Sequence, residues 1–124
     1  MRALVVDDSA AFVELVSNIL CQGGLEVASV RNGEDGLAAF QLGDFDIVIT
    51  DIMMPEGDGI EMAERIRAVS ADVPIVMVAA ADNAEYMARA RQAGATAYLL
   101  KPTEGMALET TVEELVMFHH FASA

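Results

Sequence analysis

The stretch FDIVITD, residues 45–51, is a largely apolar run that ends in an acidic residue. Short apolar runs rich in isoleucine and valine are typical of strands that are buried on both faces. Such strands belong to parallel sheets with helices packed on both sides. The stretch therefore predicts an α/β fold in which Asp51 lies at the carboxyl end of an inner strand.

The rest of the chain repeats this strand pattern in alternation with helical patterns. Four more strands are predicted, in the stretches RALVVDD (2–8), LEVASV (25–30), VPIVMVA (73–79) and TAYLL (96–100). Apolar residues at helical spacing predict five helices, at residues 9–22, 32–43, 60–69, 83–94 and 104–118. Glycines and a proline predict a loop at 53–59. We expect one domain over residues 1–124, with a parallel five-stranded sheet covered on both faces.

Composition and charge exclude several classes of protein. The chain of 124 residues is 54% hydrophobic, which suits one compact core, and its formal net charge of −13 argues against direct nucleic-acid binding. A single cysteine, Cys21, excludes an intramolecular disulfide and a multi-cysteine zinc site, and we expect it to be a small core residue. No stretch has the length of a signal peptide or membrane span, so we expect a cytoplasmic protein.

Charged residues follow three of the predicted strands. Asp7 and Asp8 follow the first strand, Asp51 ends the third, and Lys101, the only lysine, follows the fifth. In a parallel sheet these residues converge at one edge, where ligands bind. Clustered carboxylates repel each other unless a cation intervenes, and their oxygens suit Mg²⁺. Carboxylate, Mg²⁺ and lysine together indicate phosphoryl transfer to an aspartate.

Each of these residues also has a simpler interpretation. Ser9, with Asp8 before it, could serve only to cap the first helix. Asp51 could start a turn, and Lys101 could be an ordinary solvated lysine. The combination favours a site, because every simpler interpretation must hold at once and at the correct strand ends.

Three motifs give the chain a family resemblance. VVDDSA (5–10), VITDIMMPEGDGIEM (48–62) and AYLLKP (97–102) closely resemble the receiver domain of two-component response regulators, and the similarity extends over the whole chain. The resemblance implies a flavodoxin-like (βα)5 three-layer sandwich with strand order 2-1-3-4-5. Alternation of strands and helices alone does not fix that order.

The resemblance also implies roles for individual residues. Asp51 is the expected phosphoacceptor, and Lys101 balances the charge of the phosphoryl group. Asp8 and Asp51 are the expected ligands of Mg²⁺, or of Mn²⁺ instead, with Asp7 acting directly or through water. The backbone carbonyl of Met53 is the expected further ligand.

The resemblance implies signalling rather than enzymatic turnover. The expected phosphodonor is a sensor histidine kinase or a phosphotransfer protein, and the expected output is protein binding through the fourth helix, fifth strand and fifth helix. We expect a monomer or weak dimer with no membrane and no direct nucleic-acid contact. Because Met53 and Ala81 are non-polar and cannot orient a water, we expect slow self-catalysed dephosphorylation.

Two positions concern the switch between inactive and active states. Ala79 occupies the place where the family usually has threonine or serine, so no hydroxyl is available there for a phosphoryl oxygen. Tyr98 matches the aromatic residue that changes rotamer with phosphorylation, although it could also be a core aromatic. We expect weakened coupling and a Tyr98 that can turn inward without phosphate.

Two other functions remain open, and so does the nature of the whole protein. A Mg²⁺-dependent phosphatase with an aspartate nucleophile would carry a second aspartate two positions later, where this chain has Met53. A pseudo-receiver that acts by binding alone is compatible with Ala79. The chain could also be a receiver excised from a hybrid kinase or a DNA-binding regulator.

Overall fold

The computed structural model describes residues 1–52, 59–79 and 84–100 of the chain. The strands are β1 (Arg2–Val6), β2 (Glu26–Val30), β3 (Ile47–Asp51), β4 (Ile75–Ala79) and β5 (Ala97–Leu100). The helices among these residues are α1 (Ala10–Gln22), α2 (Gly33–Leu42), α3 (Gly59–Val69) and α4 (Ala84–Gln92). The fifth helix, predicted at 104–118, lies outside the described residues. None of the helices described is long and apolar enough to cross a membrane.

The five strands form one parallel sheet with the order β2-β1-β3-β4-β5. This order confirms the flavodoxin-like topology that the resemblance implied. The two central neighbours β3 and β4 are buried at every residue, as their apolar sequences predict. The edge strand β2 is more exposed, in keeping with its alternating sequence.

Apolar side chains pack in two clusters on opposite faces of the sheet. The α1-side cluster joins α1 to the sheet and contains Ala3, Val5, Phe12, Val16, Leu20, Ile47, Ile49, Val76 and Val78. The α3-side cluster lies under α2, α3 and α4 and includes Leu4, Val6, Val48, Ile60, Met62, Ala63, Ile66, Met77, Ala79 and Ala90. The two clusters place helices on both faces of the sheet and so confirm the three-layer arrangement.

Polar side chains fix the starts of two helices. Ser9 is the N-cap of α1, and its hydroxyl accepts a hydrogen bond from the Phe12 amide at 3.3 Å. Asn32 caps α2 and accepts from the Asp35 amide at 2.8 Å. The capping role predicted for Ser9 is confirmed, and it brings the beginning of α1 close to the end of β1.

The prediction that Cys21 belongs to the core is wrong, because the residue is exposed. The buried side of α1 carries Phe12, Val16 and Leu20, which are four residues apart. Cys21 follows Leu20 by one position and is therefore rotated by about 100° away from the sheet.

Other apolar side chains differ in how far they are buried. Leu15, which shares the helical spacing of the buried residues of α1, is 41% exposed. Met62 and Met77 are buried in the α3-side cluster, where the flexible methionine side chain fills core space.

An arginine at the end of α3 makes contacts at the amino-terminal edge of the sheet that the sequence did not reveal. The guanidinium of Arg67, at the end of α3, donates to the carbonyls of Gly94 at 2.9 Å, Val73 at 2.6 Å and Ser70 at 3.3 Å. It also donates to the Thr96 hydroxyl at 3.3 Å. One side chain thereby joins α3, the segment before β4 and the turn before β5, at the end of the sheet opposite the acidic residues.

Candidate functional site

Three carboxylates come together at the carboxyl edge of the sheet. Asp7 and Asp8 follow β1, and Asp51 is the last residue of β3. One carboxylate oxygen from each residue lies within 4.8 Å of the other two. Asp7 and Asp51 are only 1% and 8% exposed, whereas Asp8 is open to solvent. The structure thus gathers three of the site residues that the sequence singled out.

The strand register explains why these acids meet. Val6, the last residue of β1, pairs with Thr50 of β3, so the next residue of each strand is an aspartate at the same level. Because parallel neighbours end on the same side, Asp7 and Asp51 emerge together although they are remote in sequence.

Asp7 is held from two sides by backbone hydrogen bonds. Its amide donates to the Val30 carbonyl at the end of β2, at 3.1 Å. Its carboxylate oxygen Oδ1 accepts from the Ser9 amide at 2.9 Å. Ser9 also caps α1, so the amino end of that helix, with its partial positive charge, faces the acidic residues.

The backbone around Asp51 is closely packed. The Ile52 amide donates to the Val78 carbonyl at 3.0 Å, and the Gly59 amide donates to the Ile52 carbonyl at 3.1 Å. The Thr50 hydroxyl donates to the Asp51 carbonyl at 2.9 Å. Sequence reasoning missed Thr50 and Gly59: the first looked like one more strand residue and the second like one more loop glycine.

The three carboxylates form a donor set suited to a hard divalent cation. Within the described part of the chain, all the side-chain donors of this group are oxygens, which Mg²⁺ and Mn²⁺ prefer, and no histidine or cysteine belongs to it. Burial of two acids beside a third raises their mutual repulsion, and a bound cation would relieve it. The residues present therefore fit a Mg²⁺ ion.

Of the four remaining predicted residues, two lie within the described part of the chain. Lys101 and Met53 fall outside the described residues. Ala79 ends β4 and is 2% exposed. Tyr98 is a half-buried residue of β5 that pairs with Met77 and packs against the α3-side cluster.

The sequence matches a known family over most of its length. The model of the response regulator receiver domain matches residues 3–113. A transcriptional regulatory protein of Salmonella typhimurium, ZraR, is 35% identical over 111 residues. The match covers 90% of this chain and 25% of that relative, so the chain spans about a quarter of its length.

Solved structures show the same fold. A CheY-like receiver domain protein from Methanospirillum hungatei superposes with a TM-score of 0.93 at 27% identity, covering 98% of this chain and 97% of the other. The chemotaxis protein CheY4 of Vibrio cholerae has a TM-score of 0.87 at 32% identity, with coverage of 92% and 97%. NtrX from Brucella abortus has a TM-score of 0.90 at 26% identity, and the match covers 98% of this chain but 28% of NtrX.

Proposed function

The chain belongs to the family of response regulator receiver domains, and we propose that it is a phosphoacceptor module in which Asp51 is the phosphorylated residue. The observation that carries this proposal is the position of the Asp51 carboxylate. It is almost buried at the end of β3 and lies within 4.8 Å of the carboxylates of Asp7 and Asp8. The proposed domain comprises residues 1–124.

The proposed reaction is an in-line transfer between two side chains. A carboxylate oxygen of Asp51 attacks the phosphorus of a phosphohistidine on a sensor histidine kinase or a phosphotransfer protein. The new O–P bond forms as the P–N bond breaks, and the imidazole nitrogen leaves with the electron pair. The surrounding backbone hydrogen bonds hold the acceptor in place, which lowers the entropic part of the barrier.

The acidic cluster is the proposed metal site. Asp8 and Asp51 would hold Mg²⁺, or Mn²⁺ in its place, with Asp7 as a direct or water-mediated ligand. When bound, the ion neutralises charge on the carboxylates and on the phosphoryl oxygens. The family resemblance adds the Met53 carbonyl as a ligand and Lys101 as the cation opposite the metal.

The proposed output is protein binding that depends on phosphorylation. The binding face would consist of α4, β5 and the predicted last helix, and the protein would act as a monomer or weak dimer. The net charge of −13 favours partners with basic surfaces and disfavours direct contact with nucleic acid. Slow loss of phosphate is part of the proposal, since Met53 and Ala81 lack polar groups to orient water.

The usual switch hydroxyl is missing from this chain. Ala79 is buried at the end of β4 and offers a methyl group where the family usually has threonine or serine. Half-buried Tyr98 already packs against the α3-side cluster. Both observations support weak coupling between phosphorylation and conformation.

Mass spectrometry after incubation with Mg²⁺ and acetyl phosphate tests the proposed function. We expect the stable gain of one phosphoryl group, its loss in Asp51→Asn, and its retention in Asp44→Asn, which removes an exposed acid outside the acidic cluster. Continuous release of phosphate would instead identify an aspartate-nucleophile phosphatase. Absence of any modification would identify a pseudo-receiver that acts by binding alone.

A further inference from the structure

Thr50 is a buried hydroxyl residue immediately before the proposed phosphoacceptor. It is 0% exposed and pairs with Val6 on β1 and Met77 on β4. Paired residues point to the same face of a sheet, so the Thr50 side chain faces the α3-side cluster, which contains Val6 and Met77. A hydroxyl in such an apolar place needs a hydrogen-bond partner. The Thr50 hydroxyl donates to the Asp51 backbone carbonyl at 2.9 Å.

This hydrogen bond lies at the level where the pairing of β3 with β1 has ended but its pairing with β4 continues. The register with β4 continues through Asp51 and Val78, and the Ile52 amide donates to the Val78 carbonyl. The register with β1 ends one residue earlier, at Val6 and Thr50. The hydroxyl therefore supports the Asp51 peptide just beyond the last β1–β3 pair.

The first residue of α3 packs against the same carbonyl. A Cβ atom added to Gly59 would overlap the Asp51 carbonyl oxygen and lie 3.0 Å from the Thr50 hydroxyl oxygen. The Gly59 amide also donates to the Ile52 carbonyl at 3.1 Å. The peptide after Asp51 is thus enclosed by a hydroxyl and by the start of a helix, which leaves it little freedom to rotate.

We propose that Thr50 is a positioning residue for the phosphoacceptor, an inference that rests on the proposed function of Asp51. By fixing the Asp51 peptide, the hydroxyl fixes the direction of the Cα–Cβ bond and so aims the carboxylate at Asp7 and Asp8. In this role the residue needs no contact with a phosphoryl group or a metal. Its contribution is the geometry that the transfer requires.

The variant Thr50→Val keeps the shape of the side chain and removes the hydroxyl. We expect its phosphorylation rate constant, at saturating Mg²⁺ and acetyl phosphate, to fall about fivefold to tenfold, as expected for the loss of one buried hydrogen bond. Thr50→Ser retains the hydroxyl and should remain within about twofold of the wild-type rate.

Thr96→Val is the matched control. It removes a hydroxyl that accepts from the Ile75 amide at 3.0 Å at the opposite edge of the sheet. We expect Thr96→Val to lower stability without changing the phosphorylation rate. The variant therefore separates a general effect of destabilisation from an effect on the position of Asp51. Should Thr50→Val fail to fold, Thr50→Ser and Thr50→Ala form a second pair that differs by the hydroxyl alone.

The outcomes distinguish this inference from the function on which it rests. A phosphorylated wild type with equal rates in Thr50→Val and Thr96→Val, or in the serine and alanine variants, overturns the role of Thr50 alone. A wild type that takes up no phosphoryl group overturns the proposed function, and the role of Thr50 falls with it.

Discussion

Gly59 shows how a residue without a side chain can determine the geometry of the acidic cluster. Its ideal Cβ position overlaps the Asp51 carbonyl oxygen, a backbone atom that cannot move aside as a flexible side chain could. The start of α3 can approach the Asp51 backbone this closely only because the position is glycine.

The substitution Gly59→Ala is expected to lower the free energy of unfolding by about 1–3 kcal/mol, as overpacking does. It should also weaken Mg²⁺ binding, since the Asp51 peptide must shift. Urea denaturation and calorimetric Mg²⁺ titration measure the two effects. Gly23→Ala is the control, because its φ is −79° and its Cβ would meet atoms only at 3.4 Å or more. Equal stability and equal Mg²⁺ affinity in the two variants would contradict this account of Gly59.

Sequence reasoning identified some of the residues at the acidic cluster and missed others for a physical reason. Asp7, Asp8 and Asp51 follow strands in the sequence, and parallel strands bring their carboxyl ends to one edge. Thr50 and Gly59 matter through contacts with the Asp51 backbone, and no spacing in the sequence reveals such contacts. Cys21 was misplaced because a free cysteine is usually buried, whereas the buried face of α1 passes through Leu20, one residue earlier.

Among the elements, the contact between α3 and the amino-terminal edge of the sheet depends on Arg67. Its half-buried guanidinium donates to three backbone carbonyls that belong to no common helix or strand. Burial lowers the pKa of Arg67 from its ordinary value, and the nearby charge of Asp72 partly offsets this. The pKa of arginine is so high that the side chain remains charged at neutral pH, so its hydrogen bonds persist there.

The substitution Arg67→Met should lower the free energy of unfolding by about 2–3 kcal/mol, because three part-buried hydrogen bonds from a charged donor to backbone carbonyls are lost. Arg65→Met is the matched control on the same helix. Arg65 pairs with Glu61 at 3.2 Å on the exposed side of α3, and such a pair contributes about 0.3–0.5 kcal/mol. Urea denaturation compares the two variants. Similar midpoints for both would show that the carbonyl contacts of Arg67 add little stability.

The elements themselves were more predictable than the contacts between them. The spacing of apolar residues predicted a helix at 9–22, and α1 spans Ala10–Gln22. Strand order required the family resemblance, since alternation of strands and helices fits several orders of a parallel sheet. The role of Arg67 was not predictable, because its partners come from separate segments that only the folded chain brings together.

For the whole molecule, the comparisons show that this domain occurs in chains of different lengths. It covers 97% of the CheY-like structure from Methanospirillum hungatei and 28% of NtrX. In either setting, the proposed function requires that phosphorylation of Asp51 changes a distant surface. The coupling between the acidic cluster and the proposed binding face is therefore the property on which the whole domain depends.

Under the proposed function, we expect Ala79 and Tyr98 to set the strength of that coupling. A hydrogen bond from a hydroxyl at residue 79 to a charged phosphoryl oxygen would contribute about 1.5–3 kcal/mol to the active conformation. Without it, a bound phosphoryl group should shift the conformational equilibrium about tenfold to a hundredfold less. Tyr98 is a suitable probe, because it packs against the α3-side cluster from the strand next to Ala79.

The substitution Ala79→Thr should therefore strengthen the response of Tyr98 to phosphorylation. Fluorotyrosine NMR with Mg²⁺ and beryllofluoride follows the environment of the two tyrosines, and Tyr86→Phe assigns their signals. We expect a small shift of the Tyr98 signal in the wild type and a larger one in Ala79→Thr. Ala79→Val, which has the same shape without the hydroxyl, should respond as the wild type does. A full response in the wild type, or equal responses in the threonine and valine variants, would show that coupling reaches Tyr98 by a route independent of a hydroxyl at residue 79.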